Sequence, residues 1–76
     1  MFTNSTKSLI CILLRQLMSE KNNQVDKYTL IKDIISDIPD GIQKQMVKHD
    51  ADLAIDELVF DDKKLKYNDK GHLEFV

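Results

Sequence analysis

Residues 58–76, LVFDDKKLKYNDKGHLEFV, decide the fold. Polar and apolar residues alternate over 64–67 and again over 72–76, which is typical of strands that bury one face. The four residues between them, Asn-Asp-Lys-Gly at 68–71, have the chemistry of a tight turn. The pattern therefore predicts a β-hairpin.

The hairpin is expected to pack on helices, because an isolated two-stranded hairpin is only marginally stable in water. The alternation places Leu65, Tyr67, Leu73 and Phe75 on the buried face. Val25 is a lone β-branched residue between polar segments, and it could add a short third strand beside the hairpin.

Three helices are predicted upstream of the hairpin, because apolar residues recur there at spacings of three and four. Their predicted ranges are 5–20, 27–38 and 42–59. The apolar arc of the first helix covers more than half of its circumference, which is wider than the stripe of a typical surface helix. This helix is therefore either central in the fold or in contact with a second chain on one flank.

Polar residues and a proline mark the helix boundaries. Asn4 and Ser5 are suited to cap the first helix and Asp26 the second, because their side-chain oxygens accept free backbone N–H groups. Pro39 stops the second helix, since proline disfavours helical geometry in the residue before it. Asp50 could cap a fresh start within the third helix, so a kink beside it is left open.

The third predicted helix has two apolar stripes. The stronger stripe comprises Val47, Ala51, Ala54 and Leu58, and the weaker one comprises Ile42, Met46 and Leu53. The stronger stripe is expected to face the core. The opposite face is polar and carries Asp52 and Asp56, one turn apart.

Size and composition indicate a single folded domain over residues 1–76. The chain is 42% apolar and 32% charged, with a formal net charge of −2, which argues against disorder. This charge gives no overall attraction to nucleic acid or anionic lipid, so such binding would need a local basic surface. The longest apolar run, 9–14, is too short for a membrane span of about 20 residues. Cys11 is the only cysteine, which excludes an intramolecular disulfide, and we expect a cytoplasmic protein.

The sequence contains no pattern typical of catalysis or cofactor binding. It has only two glycines and therefore no phosphate-cradling glycine loop. Cys11 lies in an apolar stretch without an identifiable base and is expected to behave as a small hydrophobe. His49, Asp52 and Asp56 have helical spacing, but closed zinc sites usually take four cysteine or histidine ligands. We therefore expect no enzyme activity, no metal and no cofactor.

The predicted order of helix, short strand, helix, helix and two-stranded wing resembles that of winged-helix (winged helix-turn-helix) domains. Residues 58–67 look like the end of a recognition helix that passes through a polar turn into the wing, and 68–76 like the wing tip and its return strand. The resemblance covers nearly the whole chain and implies an α+β, mostly helical domain with a C-terminal β-hairpin wing. It also implies DNA binding and transcription regulation, although many winged helices serve only as protein–protein modules.

If the resemblance extends to function, DNA contacts fall on the wing and on the start of the third helix. The side chains that could contact DNA there are Lys44, Gln45, Lys48, Lys63, Lys64, Lys66 and Lys70. However, residues 61–76 hold four acidic and four basic groups, and lysines on an edge strand can simply be solvated. Arg15 is the only arginine, which disfavours sequence-specific reading of bases. Asp52 and Asp56 would be repelled by phosphates unless they are paired or turned away.

The alternative function is a protein-interaction module, such as an adaptor or a small inhibitor. Its contacts would use the acidic face at Asp52 and Asp56, or an apolar flank of the first helix. That flank is predicted to comprise Ile10, Cys11, Leu14 and Met18. A homodimer through the same flank would also explain the wide apolar arc, whereas a membrane partner is not expected.

Overall fold

The computed structural model describes residues 2–76 and contains three helices followed by a two-stranded antiparallel hairpin. The elements are α1 (Asn4–Glu20), α2 (Lys27–Ile34), α3 (Ile42–Asp56), a π-helical turn (Glu57–Asp61), β1 (Leu65–Tyr67) and β2 (Leu73–Phe75). The predicted fold class is confirmed: the chain is α+β and mostly helical, with a winged-helix-like layout.

One apolar core joins every element. It comprises Ile10, Leu14, Leu17, Val25, Leu30, Ile31, Ala51, Ala54, Ile55, Leu58, Leu65 and Leu73. Burying a leucine or isoleucine side chain stabilises the fold by about 1.5–3 kcal/mol. Leu65 and Leu73 are fully buried, so the hairpin is held by the helices as its size requires.

The turn of the hairpin has the geometry that its sequence predicts. The Asn68 side-chain oxygen accepts hydrogen bonds from the backbone N–H of Lys70 (2.9 Å) and of His72 (3.0 Å). Gly71 has a φ of +79°, a left-handed conformation that glycine adopts without steric cost. In the resulting register, Leu65 lies opposite Phe75 and Tyr67 lies opposite Leu73.

Val25 lies at the edge of the hairpin, as predicted. Its carbonyl oxygen accepts a hydrogen bond from the backbone N–H of Leu73 at 2.7 Å, and its side chain is fully buried. Val25 also packs in the core with Leu65 and Leu73, but the sheet has two strands, so the predicted third strand does not form.

The predicted helix boundaries need three corrections. Thr3, not Asn4 or Ser5, caps α1, because its side-chain oxygen accepts the Thr6 N–H at 3.2 Å. The second helix ends at Ile34 rather than Ile38. The third is an unbroken α-helix through Asp50 and changes to π geometry only after Asp56.

The early end of α2 has a local cause. The Ser36 hydroxyl (2.8 Å) and the Ser36 N–H (3.3 Å) both donate to the carbonyl oxygen of Asp33. In a continuing α-helix that oxygen would accept the N–H of Asp37. Serine side chains compete with the backbone hydrogen bonds of a helix in this way, so α2 ends before it reaches Pro39.

Tyr67 was expected on the buried face, but it is 37% exposed. It lies at the turn end of β1 and borders a surface hollow with Tyr28, Lys70 and Gly71. The hollow lies between the turn end of the hairpin and the start of α2, so the ring is at the edge of the core. Phe75, on the same face, is partly buried.

A lysine ties the start of α1 to the end of the third helix. The Lys7 ammonium is 2.8 Å from the Asp62 carboxylate and 3.2 Å from that of Glu57, and Lys7 is almost completely buried. The π turn brings these carboxylates together, because the Asp62 N–H donates to the Glu57 carbonyl five residues earlier at 2.8 Å. The bond to Asp62 and the second carboxylate raise the pKa of Lys7.

Asp26 provides a stability prediction with a defined pH dependence. Its side-chain oxygen accepts the Thr29 N–H at 2.7 Å, and this bond holds the pKa of the Asp26 carboxyl below its ordinary value of 3.8. Asp26→Ala is expected to lower the free energy of unfolding by about 1 kcal/mol, whereas Asp26→Asn should cost less because its side-chain oxygen still accepts.

The pH dependence follows from the sign of that shift. A lowered pKa stabilises the folded state above the ordinary pKa, and the contribution is lost as pH falls through the folded value. Urea unfolding at pH 7 and at a pH below the ordinary value of 3.8 should therefore show a stability advantage of the native chain over Asp26→Asn that is smaller at the lower pH. An advantage of equal size at both pH values would contradict the role of the ionised cap.

Candidate functional site

The wing lysines are exposed but face different parts of the fold. Lys64 borders a hollow against α1 that also contains Ser8 and Arg15. Lys70 borders another hollow at the start of α2. Lys66 lies opposite Glu74 in the hairpin register, and Lys63 is exposed in the loop before β1.

The candidate DNA contacts on α3 are equally scattered. The Lys44 ammonium lies 3.0 Å from the carboxylate of Asp40, one turn earlier in the chain. Gln45 and Lys48 are both exposed, and Gln45 borders a hollow with Met46. The predicted contacts therefore do not share one hollow, and Lys44 already has a counter-ion.

Two of the four residues predicted for the partner flank of α1 lie in the core instead. Ile10 and Leu14 are 4% and 0% exposed, while Cys11 and Met18 are partly buried against the core. The reason is that α1 packs against both α2 and α3, and Ile10 borders a hollow with Ile34 and Ala51. On the hairpin, the Phe75 ring lies with its centre 4.6 Å from the Arg15 guanidinium. Part of the wide apolar arc therefore belongs to the core.

Cys11 has the environment of a small hydrophobe, as expected. Burial raises the pKa of its thiol, and the nearby charges of Arg15 and Lys64 oppose that effect only in part. The thiol is thus protonated at neutral pH and is a weak nucleophile.

The acidic pair on α3 is engaged within the fold. The Lys27 ammonium is 2.8 Å from the Asp52 carboxylate and 3.8 Å from that of Asp56. The bonded Asp52 carboxylate raises the pKa of Lys27. These contacts link the start of α2 to α3, so the acidic face named as a partner surface partly serves the helix packing. Over residues 2–76 no three potential ligands converge around a metal position.

Four large apolar side chains are exposed on α3 and its π-helical extension. Ile42 is 81% exposed, Met46 61%, Leu53 43% and Phe60 64%. Spacings of four and seven place Ile42, Met46 and Leu53 on one side of the α-helix, and Phe60 borders the same hollow as Leu53. The opposite side is buried, with Ala51, Ala54, Ile55 and Leu58 in the core. We call the four exposed residues the α3 stripe.

Two surface hollows follow the α3 stripe. The first is bordered by Ile42 and Met46 together with Gly41, Gln45, His49 and Asp50. The second is bordered by Leu53 and Phe60 together with Phe2, Asp56, Glu57 and Asp61. Each hollow therefore combines two large apolar side chains of the stripe with carboxylates at its edge.

Four of those carboxylates, Asp50, Asp56, Glu57 and Asp61, form what we call the acidic rim. Asp56 and Glu57 have the lysine partners described above. Asp50 and Asp61 have no cation within 4 Å in the described part of the chain. The rim therefore keeps a negative charge next to the apolar stripe.

Part of this surface was visible in the sequence. Ile42, Met46 and Leu53 were recognised as the weaker stripe of the third helix, but periodicity does not say which of two stripes is covered. Phe60 was missed because it follows the change from α to π geometry. The exposure of Leu9 and Ile12 on α1 was also missed, since they belong to the same wide arc as the core residues.

Comparison with known proteins gives no relative. No protein-family model matches the sequence, and the comparisons with curated proteins and with solved structures found no significant match. Among residues 2–76, no helix combines the length and the apolar character that crossing a bilayer requires.

The exposure of the α3 stripe leads to a prediction about stability. Met46→Gln should change the free energy of unfolding by less than about 0.5 kcal/mol, because this side chain is largely solvated. Ile55→Val, on the buried side of the same helix, should cost about 1 kcal/mol because it leaves a cavity. Urea denaturation of both variants measures the difference, and an equal cost would mean that the stripe is covered within the fold.

Proposed function

We propose that this chain is a protein-interaction module on a winged-helix-like scaffold and that it binds a protein partner through the α3 stripe. The observation that carries the proposal is the exposure of Ile42, Met46, Leu53 and Phe60 along one side of the third helix. Water disfavours apolar surface of this kind, and contiguous exposed apolar patches mark interaction sites.

The layout of the surface supports a protein partner. Interfaces between proteins have an apolar centre and a polar rim, and a few large side chains supply most of the binding energy. The α3 stripe provides the centre and the acidic rim provides the edge. Because the core and Lys27 fix α3 from behind, little conformational entropy is lost when a partner docks.

The same surface is poorly suited to DNA. In the winged helices that bind DNA, the third helix enters the major groove between two rows of phosphates. Here the outward side of that helix is apolar, and carboxylates of the acidic rim border it. A duplex would bury the apolar side chains against polar groups and repel Asp50 and Asp61.

A second candidate is a small winged-helix DNA-binding regulatory or accessory protein of low sequence specificity. It is favoured by the exposure of Lys63, Lys64, Lys66 and Lys70 on the wing. Such binding would rest on phosphate contacts by the wing, with α3 turned away from the groove.

Affinity capture tests the first candidate. The immobilised chain, incubated with extract of its source cells, should retain a protein that the double variant Met46→Gln/Leu53→Gln does not retain. Lys64→Glu/Lys66→Glu is the matched control, because it changes an exposed surface elsewhere and should retain the same protein. If Met46→Gln/Leu53→Gln retains the protein as well as the native chain does, or if Lys64→Glu/Lys66→Glu loses it, the function does not depend on the α3 stripe.

Amide NMR separates the two candidates directly. We expect no shifts when a mixed-sequence DNA duplex is added to the labelled chain at low salt. Shifts confined to 44–48 and 63–71 that disappear on adding salt would instead establish the DNA-binding candidate, because phosphate contacts are strongly salt-dependent.

A further inference from the structure

We propose that the partner's binding segment is an amphipathic helix whose apolar face is flanked by lysine or arginine, seated along the α3 stripe. This inference rests on the proposed function and specifies the chemistry of the partner. Three features of the surface lead to it: the spacing of the stripe, its length and the charge of its rim.

The spacing of the stripe matches the seam by which two helices pair. Helix pairs bury positions that alternate at intervals of four and three. Within the α-helix these intervals lead from Ile42 through Met46 and His49 to Leu53. Three of these four positions are large exposed apolar residues, and Phe60 on the π turn borders the same hollow as Leu53, so a helix that lies alongside α3 can contact the whole stripe.

The length of the stripe sets the size of the segment. The α-helical part, Ile42–Asp56, has 15 residues and is therefore about 22 Å long. Phe60 extends the apolar surface by about one further turn. A helical segment of roughly 18 residues covers this length.

The charge of the rim determines what flanks the segment's apolar face. Asp50 stands beside the first hollow, and Asp56, Glu57 and Asp61 stand beside the second. Among residues 2–76, only Asp56 and Glu57 of this rim have lysine partners. Basic side chains along the partner helix would complete the charge pairing at Asp50 and Asp61, and complementary charge favours both specificity and the rate of association.

A second copy of the chain fits this surface less well. In a two-fold symmetric interface the same patch meets itself, so the acidic rim of one copy would lie against the acidic rim of the other. Lys44 could offset this charge only by leaving Asp40, its present partner. An anionic membrane surface is repelled by the same rim.

Two designed peptides test the inference. Both are fluorescein-labelled 18-residue helices with leucine at the seam positions, and they differ only in the flanking residues, which are lysine in one and glutamate in the other. Fluorescence anisotropy at about 0.15 M salt should show binding of the lysine peptide at least about tenfold tighter than that of the glutamate peptide, which is the effect of about 1.4 kcal/mol.

Variants of the chain assign the binding to the surface. Met46→Gln/Leu53→Gln should weaken the binding of the lysine peptide at least about tenfold, because apolar contact is lost. Asp50→Asn/Asp61→Asn should reduce the preference for lysine over glutamate. Lys64→Glu/Lys66→Glu is the control and should leave the preference unchanged. All of the substituted positions are exposed, and circular dichroism of each variant verifies the fold.

The results that overturn the inference are distinct from those that overturn the proposed function. If both peptides bind equally well and both lose binding in Met46→Gln/Leu53→Gln, the partner need not be basic. The stripe then remains an interaction site. Binding of the lysine peptide that is undiminished in that variant rejects the stripe. A dimer in sedimentation equilibrium that the same variant abolishes identifies a second copy as the occupant and rejects the basic helix.

Discussion

Leu65 and Leu73 attach the hairpin to the helices, and the rest of the structure depends on this contact. Both leucines are fully buried, and the Leu73 N–H bonds the carbonyl of Val25, at the entrance to α2. The hairpin completes a core in which α1 packs against α2 and α3. Among the large apolar side chains left exposed, Leu9 and Ile12 lie on α1, and those of the α3 stripe lie on α3 and its π-helical extension.

The charged residues are arranged to keep that surface in position. Lys27 holds α3 against α2 through Asp52, and Lys7 holds the end of the third helix against α1 through Glu57 and Asp62. Each lysine faces two carboxylates, so one negative charge remains uncompensated in each cluster. The charged side chains of the acidic rim lie beside the α3 stripe. The outer face of α3 therefore combines apolar side chains with negative charge.

Much of the fold could be predicted because its signals are local. The alternation of β1 and β2, the turn at Asn68–Gly71 and the cap at Asp26 each depend on a few neighbouring residues. The ends of α2 and α3 could not be predicted, since Ser36 and the π turn alter the backbone bonds without changing the apolar pattern. For the site, the sequence showed which residues are apolar on α1 and α3, but not which of their faces the rest of the fold covers. Coverage is a tertiary property, and this is why Ile10 and Leu14 were assigned to the surface.

The bond between Lys7 and Asp62 joins residues 55 positions apart in sequence. Contacts of such separation form only after a long loop has closed, and closing it costs entropy before any contact compensates for it. During synthesis on the ribosome, α1 is made before α2 and α3, against which its buried residues pack. Ile10 and Leu14 therefore stay uncovered while those helices are being made, which is a period of risk for aggregation that the finished fold no longer shows.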